Sequence, residues 1–292
     1  MSGGFLFMQY QTTITKDVAY TGIGLHSGCE VTIKLKPAPV NTGIVFIRVD
    51  LEGSPWVAAV SDNVTATVRA TTIESGTAKV FTIEHLMSAF HALQIDNCYI
   101  EIDAVEPPVT DGSALVFFEL IQSAGVKEQE EESKEVIIDR TYIVRKDDKF
   151  AMILPYDGFR VSFTSVNPSG LVGIQYADYE ITAENFYKEI ASARTIAYEQ
   201  EIEALQKMGL GLGGTPENVI VYNDEKWLTK LRYKDELVRH KVLDIIGDIR
   251  LVGRVRGHIV AVKSSHAINT ELAKQQNRYP LHFVSKRGGV LL

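Results

Sequence analysis

Lys127-Glu128-Gln129-Glu130-Glu131-Glu132-Ser133-Lys134-Glu135 is the stretch on which the architecture turns. It is charged, mostly acidic and without apolar periodicity, the pattern of a solvated linker or a helix end, and it falls near the middle of a chain of 292 residues. That length admits one large domain or two ordinary ones, since single cores stop growing near ~250–300 residues. Residues 128–134 therefore read as an acidic linker between a first domain at 1–127 and a second at 135–292.

Outward from the linker, both halves show strands followed by helices. In the first, Gln9–Tyr20, Cys29–Leu35 and Ile44–Val49 have β character, and Val31-Thr32-Ile33-Lys34-Leu35-Lys36 alternates as a half-buried strand does. From Glu84 to Leu93 the apolar spacing becomes helical, with Thr82 the expected N-cap. Cys98–Ile102 is a strand and Ala114–Ala124 a second helix. In the second half, strands are expected at Val136–Arg145, Phe150–Pro155, Phe159–Thr164, Val219–Tyr222 and His258–Val262. Helices are expected at Ala183–Ala193, Thr195–Met208, Glu236–Leu251 and Asn269–Gln276. Sheets with their own helix pairs, twice over, give an α+β fold of two similar domains.

Composition narrows the function classes. Hydrophobic residues are 45% and charged residues 23%, as in a folded globular protein. No run approaches the ~18 apolar residues of a membrane span. The start Met1-Ser2-Gly3-Gly4-Phe5 lacks a signal peptide's basic region, so a cytoplasmic protein is expected. With 30 Lys+Arg against 37 Asp+Glu, net −7, a general nucleic-acid binder is disfavoured. Only Cys29 and Cys98 occur, which excludes thiolate zinc sites and disulfide frameworks. Seven histidines, His26, His85, His91, His240, His258, His266 and His282, are the informative titratable groups.

Arg239-His240-Lys241-Val242-Leu243-Asp244-Ile245-Ile246-Gly247-Asp248 carries the strongest signal. His240, Asp244 and Asp248 stand one helical turn apart on one stripe, while the surrounding aliphatics bury the helix widely. Charged groups there need a partner, and a divalent metal shared by His240 and Asp244 would be one. In isolation the commoner meaning of such a pair is an intrahelical hydrogen bond. In Thr82-Ile83-Glu84-His85-Leu86, an acid near a helix start is favoured by the dipole alone. His85 and His91 cannot chelate from one continuous helix. If His85 is a ligand, His240 and Asp244 would complete a two-histidine, one-carboxylate set with an open position for water. Lys263-Ser264-Ser265-His266 places a histidine on a strand-to-helix turn, where it can face a cleft or simply cap. Gly209-Leu210-Gly211-Leu212-Gly213-Gly214-Thr215-Pro216 has neither the Lys-Ser/Thr of a P-loop nor a dinucleotide fingerprint.

Together these segments resemble the zinc-dependent UDP-3-O-acyl-N-acetylglucosamine deacetylases of lipid A synthesis, the LpxC family. The resemblance runs in order through Thr21-Gly22-Ile23-Gly24-Leu25-His26-Ser27-Gly28, Pro37-Ala38-Pro39-Val40-Asn41-Thr42-Gly43, Thr82–Leu86, Ile95-Asp96-Asn97 and Thr110-Asp111-Gly112-Ser113-Ala114. It continues through Ala193-Arg194-Thr195, Leu212-Gly213-Gly214, Arg239–Asp244 and Lys263–Asn269, covering nearly the whole chain. It implies two domains, each a sheet with a helix pair, the helices packed face to face between the sheets. Zn2+ is the implied cofactor, with Fe2+ also suited to such ligands, and His85, His240 and Asp244 are the implied ligands. Glu84 falls on the general base, His266 on the general acid, Asp248 on the aspartate that orients it, and Thr195 on the oxyanion side. Lys241 falls on the phosphate contact. Leu25, His26, Ile196, Tyr198, Glu201, Gly214 and Lys263 fall among substrate-binding positions, and an acyl-chain insert around 196–212. The chain departs from the family in having Ser265 where many members have glycine, and no aromatic at Val166-Asn167-Pro168.

The activity implied is removal of the acetyl group from UDP-3-O-acyl-N-acetylglucosamine by a monomer. Two rivals stand beside it. Another metallohydrolase acting on a different N-acyl sugar would use the same centre but show no acyl-chain selectivity. A non-catalytic sugar-nucleotide or lipid-binding protein would have no need of stoichiometric metal.

Overall fold

The computed structural model describes residues 10–278; Gln9, the Met1–Phe5 start and His282 lie outside the described residues. Two five-strand ladders dominate. The first runs Val18–Ile23, Glu30–Pro37, Cys98–Ile102, Ile44–Arg48, Trp56–Ala58, and its pairings are antiparallel, antiparallel, parallel and antiparallel. The second runs Tyr142–Lys146, Lys149–Leu154, Arg254–Val262, Phe159–Val166, Ile174–Glu180 with the same succession of pairings. Glu135–Ile137 adds a parallel partner beside the start of Arg254–Val262. In each ladder the central strand comes last in the chain.

Among the described residues six α-helices accompany the sheets: α1 Glu84–Ala92, α2 Leu115–Ala124, α3 Ala183–Asn185, α4 Glu199–Lys207, α5 Glu236–Ile249 and α6 His266–Arg278. α1 packs against α2 and along α5, while α5 and α6 lie against each other and on strands of the second ladder. Apolar residues at helical spacing build this layer, including Leu86, Met87 and Phe90 from α1 and Val242, Leu243, Ile245 and Ile246 from α5. Phe46, Phe90, Phe117, Phe163 and Phe186 are fully buried in the same continuous core.

α1 and α5 approach closely because Gly247 lacks a side chain. A Cβ there would overlap the backbone carbonyl of Glu84, and backbone cannot step aside as a rotamer can. Gly247→Ala should therefore destabilise by roughly 1–3 kcal/mol, although alanine gains about 1 kcal/mol of helix propensity. Thermal melts check this, and a variant melting like wild type would show that the helices can part freely.

Several expectations are corrected. The acidic stretch is not an irregular linker: Val126–Glu132 is a strand paired antiparallel with Tyr10–Ile14. Its partner supplies the buried face, Thr12, Thr13 and Ile14, so the acidic strand needs no apolar alternation of its own. Thr82 does not cap α1; Ile83 occupies that position, and the Thr82 hydroxyl donates to Glu106 Oε2 at 3.0 Å. The helix expected over Thr195–Met208 starts at Glu199, because Ile196–Tyr198 pairs as a parallel strand with Ile220–Tyr222. Ala183–Ala193 is only α3 followed by a wide turn at Phe186–Ile190, where the Ala191 N–H bonds the Phe186 carbonyl. Gln9–Tyr20 divides at Thr15, and Val136–Arg145 divides after Ile137. Ile174–Glu180, unanticipated, completes a hairpin with Phe159–Val166. Among the described residues no helix is long and apolar enough to cross a membrane.

Candidate metal centre

α1 delivers Glu84 and His85 from its first turn; α5 delivers His240 and Asp244 one turn apart. One ligand atom from each of His85, His240 and Asp244 lies within 4.8 Å of the others, and all three residues are buried. The His85 and His240 rings meet edge to face at 5.0 Å. His240 Nδ1 donates to the Ala193 carbonyl at 3.0 Å, so Nε2 is left as a lone pair 3.3 Å from Asp244 Oδ1. That is the outer-shell hydrogen bond by which a ligating imidazole is oriented.

The electrostatics prepare the same donor set. Burial, reinforced by His240, pushes His85 down to about 3, and burial also lowers His240, so both rings are neutral at pH 7. Burial works against the charge on Asp244, but the neighbouring cations Lys241 and His266 hold the carboxyl below the usual range. Lys241 Nζ pairs with Asp244 Oδ2 at 2.8 Å. Two neutral imidazoles and one carboxylate fit a divalent first-row metal such as zinc or iron(II).

The cavity over this cluster, about 310 Å³, is lined by Leu25, Glu84, Thr195, Ile196, Lys241 and His266 as well as the three donors. Thr195 is fixed through its N–H to the Gly112 carbonyl at 2.8 Å. His266 opens α6, and its Nε2 stands 3.9 Å from Glu84 Oε1. Its Nδ1 donates to Asp248 Oδ2 at 2.9 Å, from the fully buried Asp248 behind it. Burial opposes a charge on His266, yet Asp248 and Glu84 raise it to about 10. Burial raises Glu84 to about 7, against the pull of His266.

A second cavity of about 280 Å³ is largely apolar, walled by Leu25, His26, Ile202, Leu205, Leu210 and Gly214 among others. A third, of similar size, contains Tyr198 and Glu201 with Asn167, Ser169, Tyr222 and Asp224. His26 Nδ1 accepts from the Gly211 N–H at 3.2 Å, joining the two glycine-rich loops. Lys263 is not brought to any of these cavities; its ammonium pairs with Asp148 on the far side of the turn, and Ser264 and Ser265 line the metal cavity instead.

Sequence reading missed the supports. Thr71 donates its N–H to Glu84 Oε2 at 3.1 Å and its hydroxyl to Asp248 Oδ1 at 2.5 Å, and Asn269 Nδ2 donates to Asp248 Oδ2 at 2.9 Å. Buried Glu106 accepts from the N–H groups of His26 and Ser27 and holds that loop. Asn269 one turn beyond His266 was the only spacing signal available. Thr71 and Glu106 gave none.

Comparison with known proteins gives the chain its relatives. Residues 11–277 match the family model described as "LpxC: UDP-3-O-acyl N-acetylglycosamine deacetylase". A UDP-3-O-acyl-N-acetylglucosamine deacetylase of Thioalkalivibrio sulfidiphilus is 44% identical over 269 residues, covering 90% of this chain and 88% of the relative. The enzymes of that name from Hahella chejuensis and Marinobacter nauticus are each 43% identical, covering 91% of this chain and 89% of their own length. With its length matched almost throughout and its buried His85, His240 and Asp244 gathered in one cluster, the chain belongs to the LpxC family.

Proposed function

We propose that this protein hydrolyses the N-acetyl group of UDP-3-O-acyl-N-acetylglucosamine, releasing acetate and the free 2-amine, an early committed step of lipid A biosynthesis. The observation that carries the reading is the three-donor cluster facing Glu84 and His266 across one cavity. We further read zinc as the metal, with iron(II) an alternative in the cell, and the chain as a cytoplasmic monomer of two domains. The repeated strand order and the α1–α5 contact support that division.

An amide is a weak electrophile and an amine a poor leaving group, so both ends need help. A divalent cation in the cluster supplies a Lewis acid and a water of lowered pKa. Glu84 takes the proton of the attacking water. The Thr195 hydroxyl donates to the oxygen that gains charge, and His266, held as a cation by Asp248, gives its proton to the departing nitrogen. Lys241 suits a phosphate. The apolar cavity beside α4 accepts the acyl chain, and the Tyr198–Glu201 cavity accepts the nucleotide. Acetate release from acylated and unacylated UDP-sugar, with metal content measured in parallel, tests the reading. Release without acyl preference, or from metal-free protein, overturns it.

The pH profile of kcat/KM should be a bell. Glu84 must be ionised, so activity is lost as pH falls through its value, raised to about 7. His266 must be protonated, so activity is lost as pH rises through its value, raised to about 10. A dication held by His85, His240 and Asp244 would draw each edge lower. His266→Ala should remove the alkaline edge and lower the plateau with metal content intact; an unchanged alkaline edge would take His266 out of the acid role.

A further inference from the structure

Arg69 borders all three cavities: the metal cavity, the apolar cavity and the Tyr198–Glu201 cavity. Among the described residues no other that lines the Tyr198–Glu201 cavity is cationic, while Glu201 and Asp224 make that cavity acidic. The Asp224 carboxylate has its own donor, the Tyr198 hydroxyl at 2.7 Å. Glu201 Oε2 is held by Arg69 Nη2 at 2.9 Å, and both side chains are about half exposed, 48% and 47%. Such a pair contributes little stability, so its guanidinium is readily redirected.

The backbone at Arg69 is unusual too. Its φ is +63°, a left-handed conformation that non-glycine residues rarely hold and that clusters at functional sites. Two residues on, Thr71 is tied to Glu84 and to Asp248, and Ala70 between them is buried. The loop is thus anchored on the reacting end of the site while its charged tip projects to the junction of the cavities.

We propose that Arg69 is a binding residue for the diphosphate of the substrate, a second cation beside Lys241. This rests on the reading above, in which acetyl, acyl and nucleotide portions diverge from one point. Lys241 already shares its charge with Asp244, and a diphosphate passing Glu201 and Asp224 meets repulsion that one shared ammonium does not offset. The planar fork of arginine suits phosphate oxygens. In the free protein Glu201 holds the guanidinium in place; when the nucleotide binds, the guanidinium turns to the phosphates.

The test measures inhibition of wild-type acetate release by UDP and by uridine, then repeats both with Arg69→Ala and Arg69→Lys. Arg69→Ala should weaken UDP about tenfold or more, the usual cost of a lost charged hydrogen bond, leave uridine unchanged and raise KM more than it lowers kcat. Arg69→Lys should recover part of the loss. Metal content and melting temperature report whether the variants fold. Glu201→Gln, alone and with Arg69→Ala, separates a tether from a ligand contact: the Arg69→Ala loss of UDP affinity should persist in the Glu201→Gln background. UDP affinity unchanged in Arg69→Ala, an equal effect on uridine, or disappearance of the loss in that background would each overturn the proposal. Failure of wild type to release acetate would instead overturn the functional reading on which it rests.

Discussion

Glu84→Gln should lower kcat by ~10²–10⁴, the range for loss of a general base, while its metal content stays at the wild-type level. Glutamine keeps the shape of the side chain, and its amide oxygen still accepts the Thr71 N–H that Glu84 Oε2 accepts at 3.1 Å. What it cannot do is take a proton from water. The separation from His266 makes the result specific, because Nε2 lies 3.9 Å from Glu84 Oε1 and the proposed mechanism assigns the two groups to opposite ends of the amide. With the carboxylate gone, burial at His266 is opposed by Asp248 and the more weakly acting Asp244, so the alkaline edge of any residual activity should also move down. Turnover near wild type would transfer the base role to another group.

His240→Ala should abolish activity by emptying the centre. The ring supplies one of three donors and is itself fixed by the Ala193 carbonyl, so its loss removes a ligand with its orientation. Two donors on α1 and α5 remain, too few for tight binding of zinc. His85→Ala and Asp244→Ala should lose metal as well, but Asp244→Ala also strands Lys241 and confounds metal loss with a fold defect. His240→Ala is the cleaner variant. A chelator separates binding from folding: metal held by the native state stabilises it by RT ln(1 + [L]/Kd), about 2.7 kcal/mol at a hundredfold excess over Kd. Chelation should lower the melting temperature of wild type and leave that of His240→Ala unchanged. Full metal stoichiometry in the purified variant would refute the assignment.

Much of this centre was legible from spacing. His240 and Asp244 one turn apart on a helix of aliphatics stand out because a buried charge without a partner is costly, although spacing alone leaves a hydrogen bond along the helix as the commoner meaning. Strands with one solvated face, such as Glu30–Pro37 and Cys98–Ile102, declare themselves by alternation. Val126–Glu132 could not, since its ladder is completed by a partner more than a hundred residues away. Ile196–Tyr198 was hidden for a related reason: three residues carry no period, and only their pairing with Ile220–Tyr222 makes them a strand. Thr71 and Arg69 lie on a loop with no motif, and what singles them out is what the fold sets beside them. The Thr71 hydroxyl reaches Asp248 across 177 positions of sequence, a relation no local pattern encodes.

The position of the two central strands bears on how the chain must be made. Val18–Pro37 and Ile44–Ala58 share no ladder until Cys98–Ile102 has been synthesised and inserted between them. The hairpins Tyr142–Leu154 and Phe159–Glu180 wait longer, for Arg254–Val262. Closing loops of that length has an entropic cost before any pairing compensates it, and such non-local topologies fold slowly. On the ribosome the first unit can close while the second still shows open strand edges, the condition in which nascent chains aggregate. A chain terminated before Arg254 would therefore lose more than His266. It would retain two unjoined hairpins, and the helix that carries His240 would have no finished sheet to lie on.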